Sequence, residues 1–168
     1  MSKMPSAQKT IRIILPLLGI FLVASFLTTK TFRADITIAA PPEKVWAVLM
    51  DTESYPDWNP TFVAVSPPYA LGVKISSRVM KPDGAFIDMR PTVTALVANR
   101  ELRQSGGLPG ILTYNHSWLL RPVDGGTLVR QIDVDRGAFL WFWDTSWIEP
   151  AYQRANQALA QRVLAVTE

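Results

Sequence analysis

Apolar and polar side chains alternate along much of the chain after residue 33, and this alternation predicts β-strands. In the first predicted strand, Ala34, Ile36 and Ile38 face one side, with Asp35 and Thr37 between them. Similar patterns predict further strands at residues 61–66, 71–79, 87–97, 101–105, 111–121 and 127–135. Within the third of these Pro91 indicates an edge or a bulge, and the glycine-rich residues 106–110 predict a loop.

Two other regions have helical spacing instead. The stripe Val45, Trp46, Val48 and Leu49 predicts a short helix after Pro41 and Pro42, and a second short turn follows before residue 60. Near the C-terminus one long helix is predicted from the apolar face Ile148, Ala151, Tyr152, Ala155, Ala158, Leu159 and Val163. This order predicts an α+β fold, in which a curved antiparallel sheet of about seven strands wraps around the long C-terminal helix.

The sequence of residues 41–60, PPEKVWAVLMDTESYPDWNP, resembles the start of the SRPBCC, or START-like, helix-grip superfamily. The resemblance is greatest to its polyketide cyclase/dehydrase-like subgroup, and it extends over roughly residues 33–166. Matching motifs follow in order at Asn99-Arg100-Glu101-Leu102, Pro109-Gly110-Ile111 through His116, Gly125-Gly126-Thr127, and Asn156-Gln157-Ala158-Leu159. The resemblance implies the helix-grip fold, with a ligand cavity between the sheet and the long helix.

The N-terminal segment is apolar without interruption over residues 13–27 and uncharged between Arg12 and Lys30. As a helix it would extend about 26 Å, nearly the thickness of a hydrocarbon core, and the two flanking cations can reach the headgroups. We therefore predict a single membrane anchor in residues 1–30 and a helix-grip domain in residues 31–168. The anchor residues are Ile13, Leu17, Ile20, Phe21, Val23, Phe26 and Leu27.

Two alternatives to a retained anchor are a cleaved signal peptide and a buried helix of the domain. Val23-Ala24-Ser25 resembles a cleavage site, but the apolar run continues through Phe26 and Leu27. No polar face marks a surface helix. Because Lys3, Lys9 and Arg12 precede the span, the positive-inside rule favours an extracytoplasmic domain.

The net charge of +3 originates in this N-terminal segment, and the domain itself carries no basic surplus. Four of the 17 lysines and arginines precede residue 31, and the remaining ones are slightly outnumbered by the 14 acidic residues. A nucleic-acid binder needs a cationic surface to neutralise phosphates, so that class is excluded. The absence of cysteine excludes disulfides and thiolate chemistry.

Asp124 and Gly125 predict a tight hairpin turn, and its register predicts the candidate site. A two-residue turn there pairs His116 with Asp133 and Trp118 with Gln131. One hairpin face mixes large apolar and polar groups, as ligand cavities do. We predict a ligand pocket formed by this face and by the long helix, with Tyr114, His116, Trp118, Gln131, Asp133, Ala155 and Leu159.

His116 is the only histidine and the obvious acid–base group, and Asp133 could hold its tautomer. The alternative is a polar pair that only fixes the hairpin, so no catalytic residue is assigned. One histidine and no cysteine predict that the chain binds no metal and no cofactor.

A dense aromatic cluster precedes the long helix and contains Trp141, Phe142, Trp143 and Trp147. It would either pack the helix onto the sheet, or form a cavity mouth or a surface in the headgroup region.

Three functions follow as hypotheses. The first is a membrane-anchored domain that binds a hydrophobic small molecule or a lipid. The second is a polyketide cyclase/dehydrase-like enzyme that uses His116 as acid–base. The third is an envelope or stress protein without a small ligand. Fold resemblance alone does not distinguish them.

Overall fold

The computed structural model describes residues 6–166. The first five residues of the predicted anchor and the last two of the predicted domain lie outside the described residues. The helices are α1 (Ser6–Leu27), α2 (Pro42–Met50), α3 (Tyr55–Trp58) and α4 (Ile148–Ala165). The strands are β1 (Thr29–Ile38), β2 (Phe62–Ser66), β3 (Ser76–Met80), β4 (Phe86–Met89), β5 (Thr92–Val97), β6 (Glu101–Leu108), β7 (Leu112–Val123) and β8 (Gly126–Arg136).

The strands form two antiparallel sheets. The larger has the order β1-β8-β7-β6-β5, and the smaller has the order β2-β3-β4. Helices α2 and α3 follow the first strand, and α4 packs mainly on β1 and α2. The predicted α+β helix-grip fold, with two short helices and one long C-terminal helix, is confirmed.

The hairpin of β7 and β8 has the predicted register. His116 pairs with Asp133 and Trp118 with Gln131, around the two-residue turn at Asp124 and Gly125. Gly125 has a φ of +82°, a left-handed conformation that glycine adopts without steric cost. Because a slip of one residue would turn every side chain to the opposite face, this register fixes which residues face α4.

The apolar face of α4 packs closely against the larger sheet over the helix's second half. Ala155, Leu159 and Val163 are fully buried in one core cluster with Trp118 and Val129. The small Ala155 side chain leaves little space between helix and sheet at this level. Further along the sheet, Asn156 Nδ2 donates a hydrogen bond of 3.1 Å to the Ala34 carbonyl oxygen, which fixes α4 to β1.

Three predicted boundaries are wrong, and glycine and proline explain two of them. The strand predicted over 87–97 is divided at Pro91, which has no N–H for a ladder, and its halves join different sheets. Gly106 and Gly107, predicted as loop, extend β6 and pair with Tyr114 and Thr113. The strand predicted over 71–79 begins only at Ser76, because residues 71–75 form a turn and one isolated bridge.

Helix α1 runs directly into the larger sheet. It ends at Leu27, and β1 begins at Thr29, two residues before the predicted boundary, with Thr29 paired to Arg136. Its segment Thr10–Leu27 is long and apolar enough to cross a membrane, as an N-terminal signal sequence would also be. The seven predicted anchor residues are all exposed, Phe21 least at 47% and Leu27 most at 75%.

We expect the contact between α4 and the sheet to dominate the stability of the domain. Replacing the fully buried Leu159 with alanine (Leu159→Ala) should lower the free energy of unfolding by about 2–5 kcal/mol, because a cavity forms in the core. Urea unfolding of the solubilised protein, followed by tryptophan fluorescence, measures this.

Leu164→Ala is the matched control, since Leu164 lies on the same helix but is 45% exposed. It should change the free energy of unfolding by about 0.5 kcal/mol or less. Equal effects of the two substitutions would contradict the packing described here.

Candidate functional site

A cavity of about 650 Å³ lies between the larger sheet, the smaller sheet and the first turns of α4. Most of its wall is apolar and aromatic: Phe62, Val79, Ile87, Met89, Leu108, Leu112, Phe139, Trp143, Trp147 and Ile148. It occupies the end of the grip where the aromatic side chains of Phe62 and Tyr152 stand between sheet and helix, with ring centroids 6.2 Å apart. Bulky rings therefore hold the two layers apart where the space opens.

Polar side chains are concentrated on the wall formed by β6, β7, β8 and α4. They are Gln104, Tyr114, His116, Asp133, Asp135 and Tyr152. On each strand they occupy alternate positions, so that the pleat turns all of them inward. The side formed by β3, β4 and the residues that follow them adds Ser77, Lys81, Asp88 and Arg90. The cavity is thus a largely apolar space with a buried polar wall on the larger sheet and the exposed Asp88 and Arg90 at its outer edge, and such a mixture is usual in small-molecule sites.

The residues predicted for the pocket fall into two groups. Tyr114, His116 and Asp133 line the cavity. Trp118 and Gln131 lie on the same hairpin face but are fully buried beyond the cavity, Trp118 in the core cluster that also contains Ala155 and Leu159. The helix contributes Ile148 and Tyr152 to the wall instead, because its second half contacts the sheet too closely to leave a space.

His116 is buried among aromatic rings and is held by Gln131. Its Nε2 lies 2.9 Å from Gln131 Nε2, so the amide N–H donates to an unprotonated ring nitrogen. Burial lowers the pKa of His116, and the nearby Asp133 only partly opposes this. The imidazole is therefore neutral at physiological pH.

The hydrogen bond predicted between His116 and Asp133 is not formed. Asp133 instead accepts a hydrogen bond of 2.8 Å from the Tyr152 hydroxyl and one of 3.2 Å from the Asn115 backbone N–H. The two donors reach different carboxylate oxygens of Asp133. The ring of Tyr152 lies 5.3 Å from that of His116, so the helix closes the site above the hairpin.

Asp135 is a titratable cavity residue that the sequence analysis missed. It is 2% exposed, lines the cavity and lies within hydrogen-bonding reach of Asp133. Burial and the adjacent Asp133 charge raise the pKa of Asp135 to about 8. Because its pKa is raised above neutrality, Asp135 keeps its proton at neutral pH, and its Oδ1 atom has no hydrogen-bond partner among the described residues.

The sequence did contain a signal for Asp135. Asp135 lies two residues after Asp133 and therefore on the same face of β8. The predicted register, which pairs His116 with Asp133, also places Asp135 opposite Tyr114, so the next inward-facing pair would have identified it. Burial together with Asp133 and Asp135 raises the pKa of Tyr114 to about 12, so its hydroxyl remains a neutral donor.

Gly106 provides the space for Tyr114. A Cβ at this position would overlap the Tyr114 ring, at 2.6 Å from its Cζ atom. The glycine in β6 therefore allows the paired tyrosine on β7 to lie across the sheet and reach the cavity wall.

The aromatic cluster before α4 is divided between two environments. Trp143 and Trp147 line the cavity and pack against the core cluster of Phe32, Ile148 and Tyr152. Trp141 and Phe142 are exposed, at 41% and 81%, next to α1. The packing interpretation therefore holds for Trp143 and Trp147, whereas a headgroup-region surface formed by Trp141 and Phe142 stays a prediction.

Comparison with known families gives the identity of the fold. The family described as polyketide cyclase / dehydrase and lipid transport matches residues 29–164. The chain belongs to this family. The match begins at the first residue of β1 and ends in the last turn of α4, so it covers the whole domain and stops at α1.

Solved structures agree with this assignment at the level of the fold. TTHA0849 from Thermus thermophilus has a TM-score of 0.68 at 17% identity, with 83% of this chain and 100% of that chain covered. An AHSA1-like protein from Aeromonas hydrophila has a TM-score of 0.63 at 17% identity, covering 82% and 94%.

DynU16, a protein of the dynemicin biosynthetic locus, has a TM-score of 0.60 at 19% identity, covering 80% of this chain and 47% of that chain. No curated protein matches the chain. Within residues 6–166 no group of three or more histidine, aspartate or glutamate side chains could hold a metal ion.

The buried acid predicts an unusual dependence of stability on pH. Because the pKa of Asp135 is raised in the folded state, its contribution to stability is full at low pH and is lost as pH rises through about 8. Between about pH 5 and about pH 9 the melting temperature of the wild type should fall by several degrees relative to Asp135→Asn.

Asp83→Asn is the control for this experiment. Lys81 lowers the pKa of this exposed carboxyl, which is therefore ionised over the whole pH range of the measurement. Its melting curve should run parallel to that of the wild type. If the Asp135→Asn curve also ran parallel, Asp135 would not be the buried acid.

Proposed function

We propose that this protein is a membrane-anchored domain that binds an apolar small molecule or a lipid in the cavity. The observation that carries the proposal is the cavity itself, about 650 Å³ in volume and lined mainly by apolar and aromatic side chains. Cavities of this size and composition bury most of the surface of a small ligand. Membership of a family that includes lipid-transport proteins supports the same conclusion.

The polar wall favours a ligand with a polar group at one end. The Tyr114 hydroxyl, the protonated Asp135 and the neutral His116 all line the cavity there, so the wall offers both donors and an acceptor. A few placed polar groups in an otherwise apolar pocket fix the orientation of a ligand. The proposed ligand therefore has an apolar body and a polar head that reaches the wall formed by β7 and β8.

Several contacts at the base of α1 favour a retained anchor over a cleaved leader. Ser25 is 1% exposed, and the rings of Phe21 and Trp141 meet edge to face at 5.2 Å. Phe26 packs against Gly110, where an added Cβ would lie 3.2 Å from its ring. Cleavage near Ser25 would need an extended chain at a place where this chain is helical and packed.

Acid–base catalysis is the second candidate function, and the carboxylate pair favours it. A protonated Asp135 and a neutral His116 face the same cavity, one able to donate and the other to accept a proton. Cyclisation and dehydration of a polyketide-like substrate require proton transfers of this kind. The fold supports many functions, so activity has to be tested directly.

Native mass spectrometry of protein extracted gently from membranes would identify a bound molecule directly. The proposal predicts an additional mass that disappears on delipidation. Delipidated protein should then take up cis-parinaric acid, a fluorescent fatty acid that accepts energy from tryptophan. Neither a bound mass nor uptake of the probe would leave the third hypothesis, a domain without a small ligand.

Narrowing the cavity from the edge strand β4 should weaken binding. Ile87 and Met89 face the cavity from β4, an edge strand, so the double variant Ile87→Trp/Met89→Trp adds bulk without breaking the core. We expect the affinity of the amphipol-solubilised protein for cis-parinaric acid to fall about tenfold, or about 1.4 kcal/mol.

Phe86→Trp is the matched control, because Phe86 lies on the same strand but is 55% exposed and contacts Arg78. Its affinity should equal that of the wild type. Equal losses in the double variant and in the control would show that the probe binds elsewhere.

The two candidate functions differ in the effect of Asp135→Asn. The substitution keeps the size of the side chain but removes the acid. Retained probe affinity with lost turnover of a poly-β-ketone test substrate would support catalysis. No turnover by the wild type, together with an altered ligand affinity in the variant, would support binding alone.

A further inference from the structure

Five large apolar side chains are exposed on the same end of the domain. They are Leu108 (64%), Ile111 (57%), Phe139 (46%), Trp141 (41%) and Phe142 (81%), and we call them the apolar collar. They come from the last residue of β6, the turn that follows it, and the segment after β8. A cluster of this kind on a soluble surface marks an interaction site.

The collar surrounds the base of α1. Trp141 contacts Phe21 through its ring and donates a hydrogen bond of 2.8 Å from Nε1 to Thr28 Oγ1. A shallow groove in the same place is lined by α1 residues together with Ile111, Phe139 and Phe142. The collar is therefore continuous with the apolar surface of the helix.

The connection between α1 and the sheet fixes the depth of the collar. Only Thr28 separates the end of α1 from the start of β1, so the domain cannot move away from a bilayer that α1 crosses. Lys30 and Arg136 are exposed at the same end of the sheet, where Thr29 pairs with Arg136. Cations beside exposed aromatic side chains are typical of surfaces that rest in the lipid headgroup region.

The collar also reaches the cavity. Leu108 and Phe139 belong to both, since each lines the cavity and each is about half exposed or more. They form the part of the cavity rim that belongs to the collar, and Phe139 also lines the groove beside α1. The exposed Asp88 and Arg90 form another part of the rim. A molecule leaving the bilayer beside α1 could enter the cavity at the collar part of the rim without crossing water.

We propose that the apolar collar inserts into the interfacial region of the bilayer that α1 crosses, and that the ligand enters between Leu108 and Phe139 directly from that bilayer. This inference rests on the proposed function, because it requires α1 to be a retained anchor. The partner is a lipid surface. The evidence for it is the continuity of the collar with α1, the absence of a linker and the adjacent cations.

The chain contains no cysteine, so single cysteines can report the depth of each position. We would label Ile111→Cys and Phe142→Cys with a nitrobenzoxadiazole fluorophore in the full chain, reconstituted into phosphatidylcholine/phosphatidylglycerol vesicles. Val97→Cys is the control, since Val97 is 47% exposed but lies at the opposite end of the sheet, beside the start of β6. Spin-labelled lipids and aqueous iodide would serve as quenchers.

Both collar positions should be quenched by lipids that carry the spin label near the headgroup, and they should be shielded from iodide. The Val97→Cys label should show the reverse. Iodide access to all three labels, or shielding of the collar without quenching by lipid, would overturn the inference. The second result would indicate a protein contact, such as another copy of the chain.

Alkaline carbonate extraction separates this failure from failure of the anchor. Release of the full chain from the vesicles would overturn both the anchor and the collar. Retention of the chain with a solvent-exposed collar would overturn only the inference and would leave the proposed function standing.

Ligand entry has its own test. Ile111 and Phe142 belong to the collar but do not line the cavity, so Ile111→Glu/Phe142→Glu should leave the affinity for cis-parinaric acid in amphipol unchanged. Transfer of the same probe from vesicles to the protein should slow severalfold, because the charges hold the rim away from the bilayer. Transfer at the wild-type rate would overturn direct entry.

Discussion

The close packing of α4 on the larger sheet is the constraint on which the rest of the molecule depends. Ala155 and Leu159 contact the Trp118 level of the sheet without a gap, whereas Tyr152 and Phe62 separate the layers one to two turns earlier. A rigid helix held tightly at one end and separated at the other must leave a wedge of space. That space is the cavity. Its size reflects the difference in side-chain volume between Ala155 at the tight end and the rings of Tyr152 and Phe62 at the open end.

The electrostatics of the site follow from this packing. Helix α4 brings the Tyr152 hydroxyl over the hairpin, where it satisfies one oxygen of Asp133. Asp135, two residues further along the strand, has no comparable donor and retains its proton, while His116 loses its own through burial. An acid and a base in the same wall, Asp135 and His116, are thus both neutral, mainly because water is excluded from them.

The sequence predicted the fold and the hairpin register well, because those features depend on local signals. Asp124-Gly125 fixes a turn, a turn fixes a register, and the register fixes the face that carries Tyr114, His116 and Asp133. The position of the cavity along α4 could not be predicted in this way, since periodicity identifies a buried face but not which part of it meets a gap. Ala155 and Leu159 were placed in the pocket for that reason.

Side-chain hydrogen bonds that involve an element outside the hairpin could not be predicted from the sequence either. The opposition of His116 and Asp133 in the hairpin was correct, but Gln131 and Tyr152 compete for their polar atoms, and Tyr152 arrives from a helix remote in sequence. The glycines of β6 gave no alternating pattern, although Gly106 is needed for the Tyr114 ring.

Because only Thr28 separates α1 from β1, the helix is rigidly connected to the hydrogen-bonded pair of strands β1 and β8. Phe32 of β1 lies opposite Asp133, so the strand that continues the helix is also the strand that supports the polar wall. A spanning helix changes its tilt with the thickness of the hydrocarbon layer. With no flexible joint between α1 and β1 to absorb that tilt, an α1 that spans a bilayer, as proposed above, would turn the five-stranded sheet with it. The thickness of the hydrocarbon layer would then set the angle between the sheet and the membrane.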